Sequence, residues 1–342
     1  MKLRPDINHR QSLSEYAHNL AMMMQSYWQH SLRKHSLLAS RIRKLRILPV
    51  ILLRRFGLAP YLNYQAKCKV GTQSIAVPMH EGKLESVLLM EEGYKAVLLS
   101  LLKKYADITC FVDIGANCGQ TMLEVCSWNR EIIYYGFEPN PEAFGLLQKV
   151  SACNKFNSTL FPWACGDASK PLKIYRTSEL DAGATVVPEI RPDTYASVSG
   201  FWIATYPLDK VAIPDLPSGF ILKIDVEGSE LEVLRGALTT IHAKRPIILC
   251  EVLHAHRESE IPANDARKRK LESILDQLNY TLYLCVLDLD TRVSLLEIQA
   301  VSEFPKNQVW SRSPHTCDYI FALKEIQDFA KITLESTGVA SI

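Results

Sequence analysis

Hydrophobic and polar positions follow two rhythms along this chain. Short, mainly apolar runs that read as strands occupy 109–114, 132–138, 158–164, 220–226 and 246–252, with later ones near 280–287 and 317–323. Between them, over 119–129, 141–152, 229–243 and 264–279, apolar residues recur every three to four positions, as on one face of a helix. Val97, Leu98, Leu101 and Leu102 predict a further helix over 93–105. Buried strands alternating with amphipathic helices predict an α/β fold, a doubly wound and mostly parallel sheet with right-handed crossovers. Residues 176–208 break the alternation. They are rich in Thr, Ser, Pro and Tyr, and are expected to form an acceptor-binding lid on the ligand side of the sheet.

The first strand, 109–114, runs into a turn carrying Asp113, Gly115, Asn117 and Gly119. The next closes on Phe137–Glu138–Pro139–Asn140–Pro141, which places Glu138 23 residues after Gly115. A glycine turn followed at that distance by an acid is how an α/β sheet holds an adenosine-containing cofactor. A dinucleotide fingerprint would need glycine at 117 and 120, where this chain has Asn117 and Gln120. Asp113 would repel a pyrophosphate and attract a cationic amino group. The pattern therefore favours S-adenosylmethionine (SAM) over NAD.

A second motif spans 219–236, GlyPheIleLeuLysIleAspValGluGlySerGluLeuGluValLeuArgGly. Its apolar strand ends in Asp225 and Glu227, at the edge where open α/β sheets bind ligands. Acids also decorate helix N-termini for electrostatic reasons, which accounts for Glu230 and leaves Glu227 open to either role. The following strand ends IleLeuCysGluValLeuHisAlaHis, bringing Glu251, His254 and His256 to the same edge. Lys223, inside an apolar strand, requires an acidic partner that the sequence does not name.

AspIleGlyAlaAsnCysGly, GluProAsnPro, ProLeuAsp at 207–209 and LeuLysIleAspValGluGlySerGluLeuGluValLeuArgGlyAla occur in this order over roughly 107–252. Together they resemble the FkbM-type SAM-dependent methyltransferases. The resemblance implies a Rossmann-like class I methyltransferase with a seven-stranded sheet, helices on both faces and a final antiparallel strand. It also implies methyl transfer to a hydroxyl of a glycan, glycolipid or secondary metabolite. In that frame Asp113 and Asn117 meet the methionine end of SAM, Gly115 and Gly119 allow close approach, and Glu138 takes the ribose hydroxyls. Asp167 either meets the adenine amino group or is a turn residue. Asp225, Glu227 and His254 are the catalytic candidates. Asp225, Glu251 and His254 would also suit a divalent ion, but these residue types do not demand one, and no metal is expected. The alternatives are a non-catalytic adapter on the same fold and, less favoured, an NAD oxidoreductase.

Composition narrows the setting. The chain has 342 residues, 47% of them apolar, and a net charge of +2. Between Tyr16 and His80 there are ten Lys and Arg and no acid, so the remainder is net acidic. The sequence predicts a basic helical accessory region over 1–70, with helices over 13–38 and 37–56. It further predicts a lead-in segment over 71–104, a methyltransferase domain over 105–325 and a tail over 326–342. The run 41–56 mixes arginines with large aliphatics and holds one aromatic, Phe56. An anionic membrane surface met through residues 33–56 is therefore expected over nucleic acid. The longest early apolar run, Ile47–Leu53, is far short of the ~20 residues of a spanning helix. Nine cysteines without a C-x-x-C read as small buried hydrophobes in a reducing compartment. Without a visible secretory signal, the expectation is a cytoplasmic protein, peripheral at the inner face of a membrane.

Overall fold

The computed structural model describes residues 65–70, 73–78, 92–195, 197–213, 216–287, 297–311 and 314–325. The chain divides into two units, residues 1–89 with 338–342, and residues 90–337. In the first, β1 (Gln65–Val70) and β2 (Gln73–Pro78) pair antiparallel, with Val70 opposite Gln73. This hairpin departs from the helical character expected up to residue 70. GlnAlaLysCysLysVal alternates polar and apolar residues with period two, a strand pattern, and Ile75 and Val77 on β2 are buried. The helices expected over 13–38 and 37–56, the basic run 33–56 and the tail from 326 lie outside the described residues.

The second unit opens with α1 (Glu92–Lys104), which buries Val97, Leu98, Leu101 and Leu102 as its periodicity predicts. There follow β3 (Cys110–Ile114), α2 (Gln120–Trp128), β4 (Ile133–Phe137), α3 (Pro141–Asn154) and β5 (Ser158–Phe161). Next come β6 (Ala164–Cys165), β7 (Lys170–Ile174), the one-turn α4 (Pro192–Tyr195) and β8 (Phe201–Tyr206). The second half contains β9 (Ile221–Ile224), α5 (Glu230–Arg235), α6 (Leu238–Lys244), β10 (Ile247–Glu251) and α7 (Ile261–Gln277). It closes with β11 (Tyr280–Leu287), β12 (Glu297–Val301) and β13 (His315–Leu323).

The main sheet has the order β12-β11-β13-β10-β9-β3-β4-β5. The five strands from β10 to β5 are parallel, and β13 inserts antiparallel between β10 and β11. β12 adds an eighth strand at the edge, where seven were expected. The chain moves one way from β3 to β5 and the other way from β9 to β10. With right-handed crossovers, this reversal places α2 and α3 on one face and the later helices on the other. It also makes the crevice between β3 and β9 the topological switch point, where such sheets bind ligands.

Two further departures have physical causes. The helix expected over 229–243 is broken at Gly236, where a Cβ would come within 1.9 Å of the Gly166 carbonyl oxygen. After the break, the backbone N–H groups of Thr239 and Thr240 donate to Asp209 at 2.9 and 2.8 Å, so the ProLeuAsp segment caps α6 from across the loop. The irregular stretch expected over 176–208 ends early. Residues 201–206 form β8, which pairs antiparallel with β7 and parallel with β6 in a separate three-stranded sheet. Among the described residues eight cysteines are free, and no helix is long and apolar enough to cross a membrane.

Candidate active site

The β3 turn is built by glycine where nothing else fits. Gly115 has φ +88°, and a Cβ there would lie 1.8 Å from the Asp225 carbonyl oxygen. The two strands flanking the switch point can close on one another only because this residue has no side chain. Asn117 follows with φ 48°, and Gly119, with φ 96°, precedes α2. The Asn117 N–H donates to Glu138 Oε2 at 2.8 Å, and the Asn140 N–H donates to Glu138 Oε1 at 2.7 Å. One buried carboxylate thus ties the β3 turn to the β4 turn. Burial pushes Glu138 up to about 7 against the pull of these two donors. Each of its oxygens keeps a second lone pair, so the group can still accept from a pair of vicinal hydroxyls. The chain's own atoms therefore fit a ribose at this edge.

Asp113 does not occupy the position implied by the resemblance. It is fully buried and lies opposite Lys223 in the β3–β9 register. Lys223 Nζ stands 3.2 Å from Asp113 Oδ1 and 3.1 Å from Asp225 Oδ2. The Tyr134 hydroxyl donates to Asp113 Oδ2. The acidic partner that Lys223 requires is thus Asp113, supported by Asp225. Burial raises Asp113, and Lys223 and Tyr134 oppose that rise. Oδ2 is thus hydrogen-bonded, while the buried Oδ1 has the Lys223 ion pair and no hydrogen bond.

Asp225, Glu227 and Glu251, at the carboxyl ends of β9 and β10, each bring one carboxylate oxygen within 4.8 Å of the other two. Three such groups cannot all ionise in a half-buried crevice. Burial and then Asp225 raise Glu227, to about 8, with Arg191 pulling it down. Burial, Asp225 and Glu227 push Glu251 well above the ordinary carboxylate range. Glu227 itself adopts φ 54°, uncommon for a non-glycine residue and a sign of local strain.

Two sequence candidates fall elsewhere. His254 is 2% exposed and faces the core. Its Nδ1 accepts from Lys268 at 2.8 Å, which leaves Nε2 to donate to Thr316 at 2.8 Å. Burial and then Lys268 lower it to about 4, so it is a neutral structural histidine. The ligand set Asp225, Glu251 and His254 accordingly does not assemble, and the three donors grouped here are all oxygens. Asp167 is exposed and pairs with Lys170 at 3.4 Å, the turn-residue alternative.

Sequence reasoning missed Arg191. Its Nη2 donates to Glu227 Oε2 at 2.6 Å and its Nε to His256 Nε2 at 3.0 Å. Between residues 177 and 209 it is the one Lys or Arg, a signal that could have drawn attention to it. Arg191 belongs to a segment that lies along the carboxyl edge of the sheet. Arg176 bonds Asn140 and Glu142 after β4, and Thr185 Oγ1 donates to the Glu227 carbonyl at 2.7 Å. Ile190 fills the space at Gly228, where a Cβ would come within 1.9 Å of it.

A parallel sheet reversing at β3/β9, with an inserted antiparallel β13 and an acid-bearing edge over its carboxyl ends, defines a class I methyltransferase fold. Residues 113–282 match the methyltransferase FkbM domain. The chain is 27% identical over 189 residues to the hexuronic acid methyltransferase AglP of Haloferax volcanii, covering 55% of this chain and 73% of that protein. Methyltransferase FkbM from Methylobacillus flagellatus KT aligns with 63% of this chain at 20% identity and a TM-score of 0.38. This chain spans 44% of that structure's length. The plantazolicin methyltransferase BamL, solved with a triazolic desmethylPZN analog and SAH, aligns with 91% of this chain and 97% of its own at 8% identity and a TM-score of 0.33.

Proposed function

We propose that this methyltransferase uses SAM to methylate a sugar hydroxyl of a glycan or glycolipid acceptor. The observation that carries the reading is the pairing of two features across the switch point. On the β4 side stands Glu138, preorganised by two backbone donors and with acceptor capacity to spare. On the β9 and β10 side stands the carboxylate cluster. When bound, SAM supplies an electrophilic methyl carbon on a sulfonium. The rest falls to the chain. Glu138 holds the ribose, and the net-negative cluster favours a cationic centre nearby. Asp225, the most open of the three acids, takes the proton of the acceptor hydroxyl as the new carbon–oxygen bond forms. Glu251 orients Asp225 and carries the proton that the cluster must retain.

The same charge argues for a neutral hydroxyl over a carboxylate as the methylated group, because a second anion would be repelled at the reacting centre. The sugar acceptor is supported by the likeness to a hexuronic acid methyltransferase. Calorimetric titration tests the cofactor half. The parent should bind SAM, and Glu138→Ala should lose about 1–3 kcal/mol of affinity, the scale of hydrogen bonds to a charged group. Equal affinity in a folded Glu138→Ala variant, or tight NAD binding by the parent, would refute it.

A further inference from the structure

The carboxylate cluster is bordered by a segment that makes no strand with the main sheet and is held to it by side chains. Arg191 joins the two. Its guanidinium sits 2.6 Å from Glu227 while its Nε bonds His256, beyond β10. Tyr195, one turn further on, donates to the Gly183 carbonyl at 2.5 Å and folds the segment back on itself. Among the described residues, the groups that face Glu227 are Asp225 on β9, Glu230 on α5, Glu251 on β10, and Arg191. Asp318 on β13 acts on Glu251, and Tyr195, His256 and Glu251 itself act on Arg191. Among the described residues, Arg191 is thus the one cation in direct contact with Glu227. Lys223, beneath the crevice, serves Asp113 and Asp225.

We propose that Arg191 is a positioning residue that latches the 176–200 segment onto the carboxylate cluster and decides which acid keeps the cluster's proton. By pairing with Glu227 it makes Glu227 the easier glutamate to ionise. The retained proton is thereby confined to Glu251, where it can hydrogen-bond Asp225 and still leave Asp225 lone pairs for the acceptor. The geometry sets the order: Arg191 bonds Glu227 directly and lowers it, and although Arg191 also acts on Glu251, the larger influences there are Asp225, Glu227 and Asp318, which raise it. The inference rests on the methyl-transfer reading for its purpose, but its physical content does not need turnover.

The test uses the full chain labelled with ¹³C at glutamate side-chain carboxyls, the Glu227 signal being identified by its loss in Glu227→Gln. Arg191→Met should raise the Glu227 titration midpoint by about one pH unit or more, a tenfold change in its proton affinity. Arg191→Lys should restore most of that change. Limited proteolysis within 176–200 should speed up several-fold in Arg191→Met at an unchanged global unfolding midpoint. Where an acceptor is turned over, the acid limb of the kcat profile should move to higher pH in Arg191→Met. Once Glu227→Gln is also present, the Met substitution should no longer move it. An unmoved Glu227 midpoint overturns the proposal. So does failure of both Arg191→Met and Arg191→Gln to fold, which would make the residue structural. SAM calorimetry on the same samples separates the two ideas: a moved midpoint without SAM binding keeps the latch and removes the methyltransferase reading.

Discussion

Replacing Asp113 by Asn separates a structural from a cofactor role at the end of β3. Asp113 is fully buried, and Lys223, its neighbour in register, is 3% exposed. Removing one partner of such a pair typically costs 3–5 kcal/mol, because the other charge is left uncompensated. Here Asp225 remains 3.1 Å from the ammonium and the Tyr134 bond can persist to the amide, so the loss should fall near ~3 kcal/mol. For a unit of this size that is roughly 6–12 °C in Tm. Asp113→Asn/Lys223→Met removes both charges at similar volume and should regain most of the loss, to within about 1–2 kcal/mol of the parent. The assay is thermal or denaturant unfolding of the three proteins, with SAM calorimetry alongside. A fully stable Asp113→Asn with weakened SAM binding would refute the reasoning and return Asp113 to the amino group of the cofactor.

Two further outcomes follow from named contacts. Gly115→Ala places a Cβ 1.8 Å from the Asp225 carbonyl oxygen at φ +88° and should cost ~3 kcal/mol or more. The control Gly145→Ala in α3, with nothing within 4 Å, should stabilise by about 0.5–1 kcal/mol; equal unfolding midpoints for the two would refute the packing argument. Glu230 is raised by burial from 4.5 to about 7, so its penalty is absent below 4.5 and grows as pH rises through 7. Chemical unfolding across pH should therefore show Glu230→Gln gaining on the parent by about 3 kcal/mol between pH 4 and 8. A constant difference would contradict the assignment.

The parts of the molecule dominated by local pattern were legible in the sequence. Strands β3, β4, β9 and β10 are mainly apolar runs, and α1, α2, α3 and α7 carry helical periodicity. Asn140 and Pro141 form the N-terminus of α3 as their residue types suggest. What failed depended on tertiary contacts. The α5–α6 break is set by the approach of Gly166 to Gly236 and leaves no mark on the apolar spacing. β7 and β8 are short strands of a small, partly exposed sheet, so Lys173 and Trp202 alternate with apolar residues too briefly to register. In the site, the juxtaposition of the Gly115–Asn117 turn with Glu138 is legible because a turn and an acid at fixed spacing is a one-dimensional signal. Asp113 and His254 were assigned to ligands because sequence shows which strand end a residue occupies, and not which side chain waits on the neighbouring strand or helix. Lys223 and Lys268 are those neighbours. Arg191 enters the site through a segment with no regular periodicity, which places it out of reach of pattern alone.

The most direct measurement is transfer of a labelled methyl group from SAM to sugar and glycolipid acceptors by the parent and by Asp225→Asn. The parent should label a hydroxyl of the acceptor. Asp225→Asn should bind SAM within a few-fold of the parent and transfer roughly 10²–10⁴-fold more slowly, the range for a positioned acid/base group. Equal transfer rates would remove Asp225 from the chemistry, and a parent that binds SAM yet labels only acceptor carboxylates would contradict the hydroxyl reading.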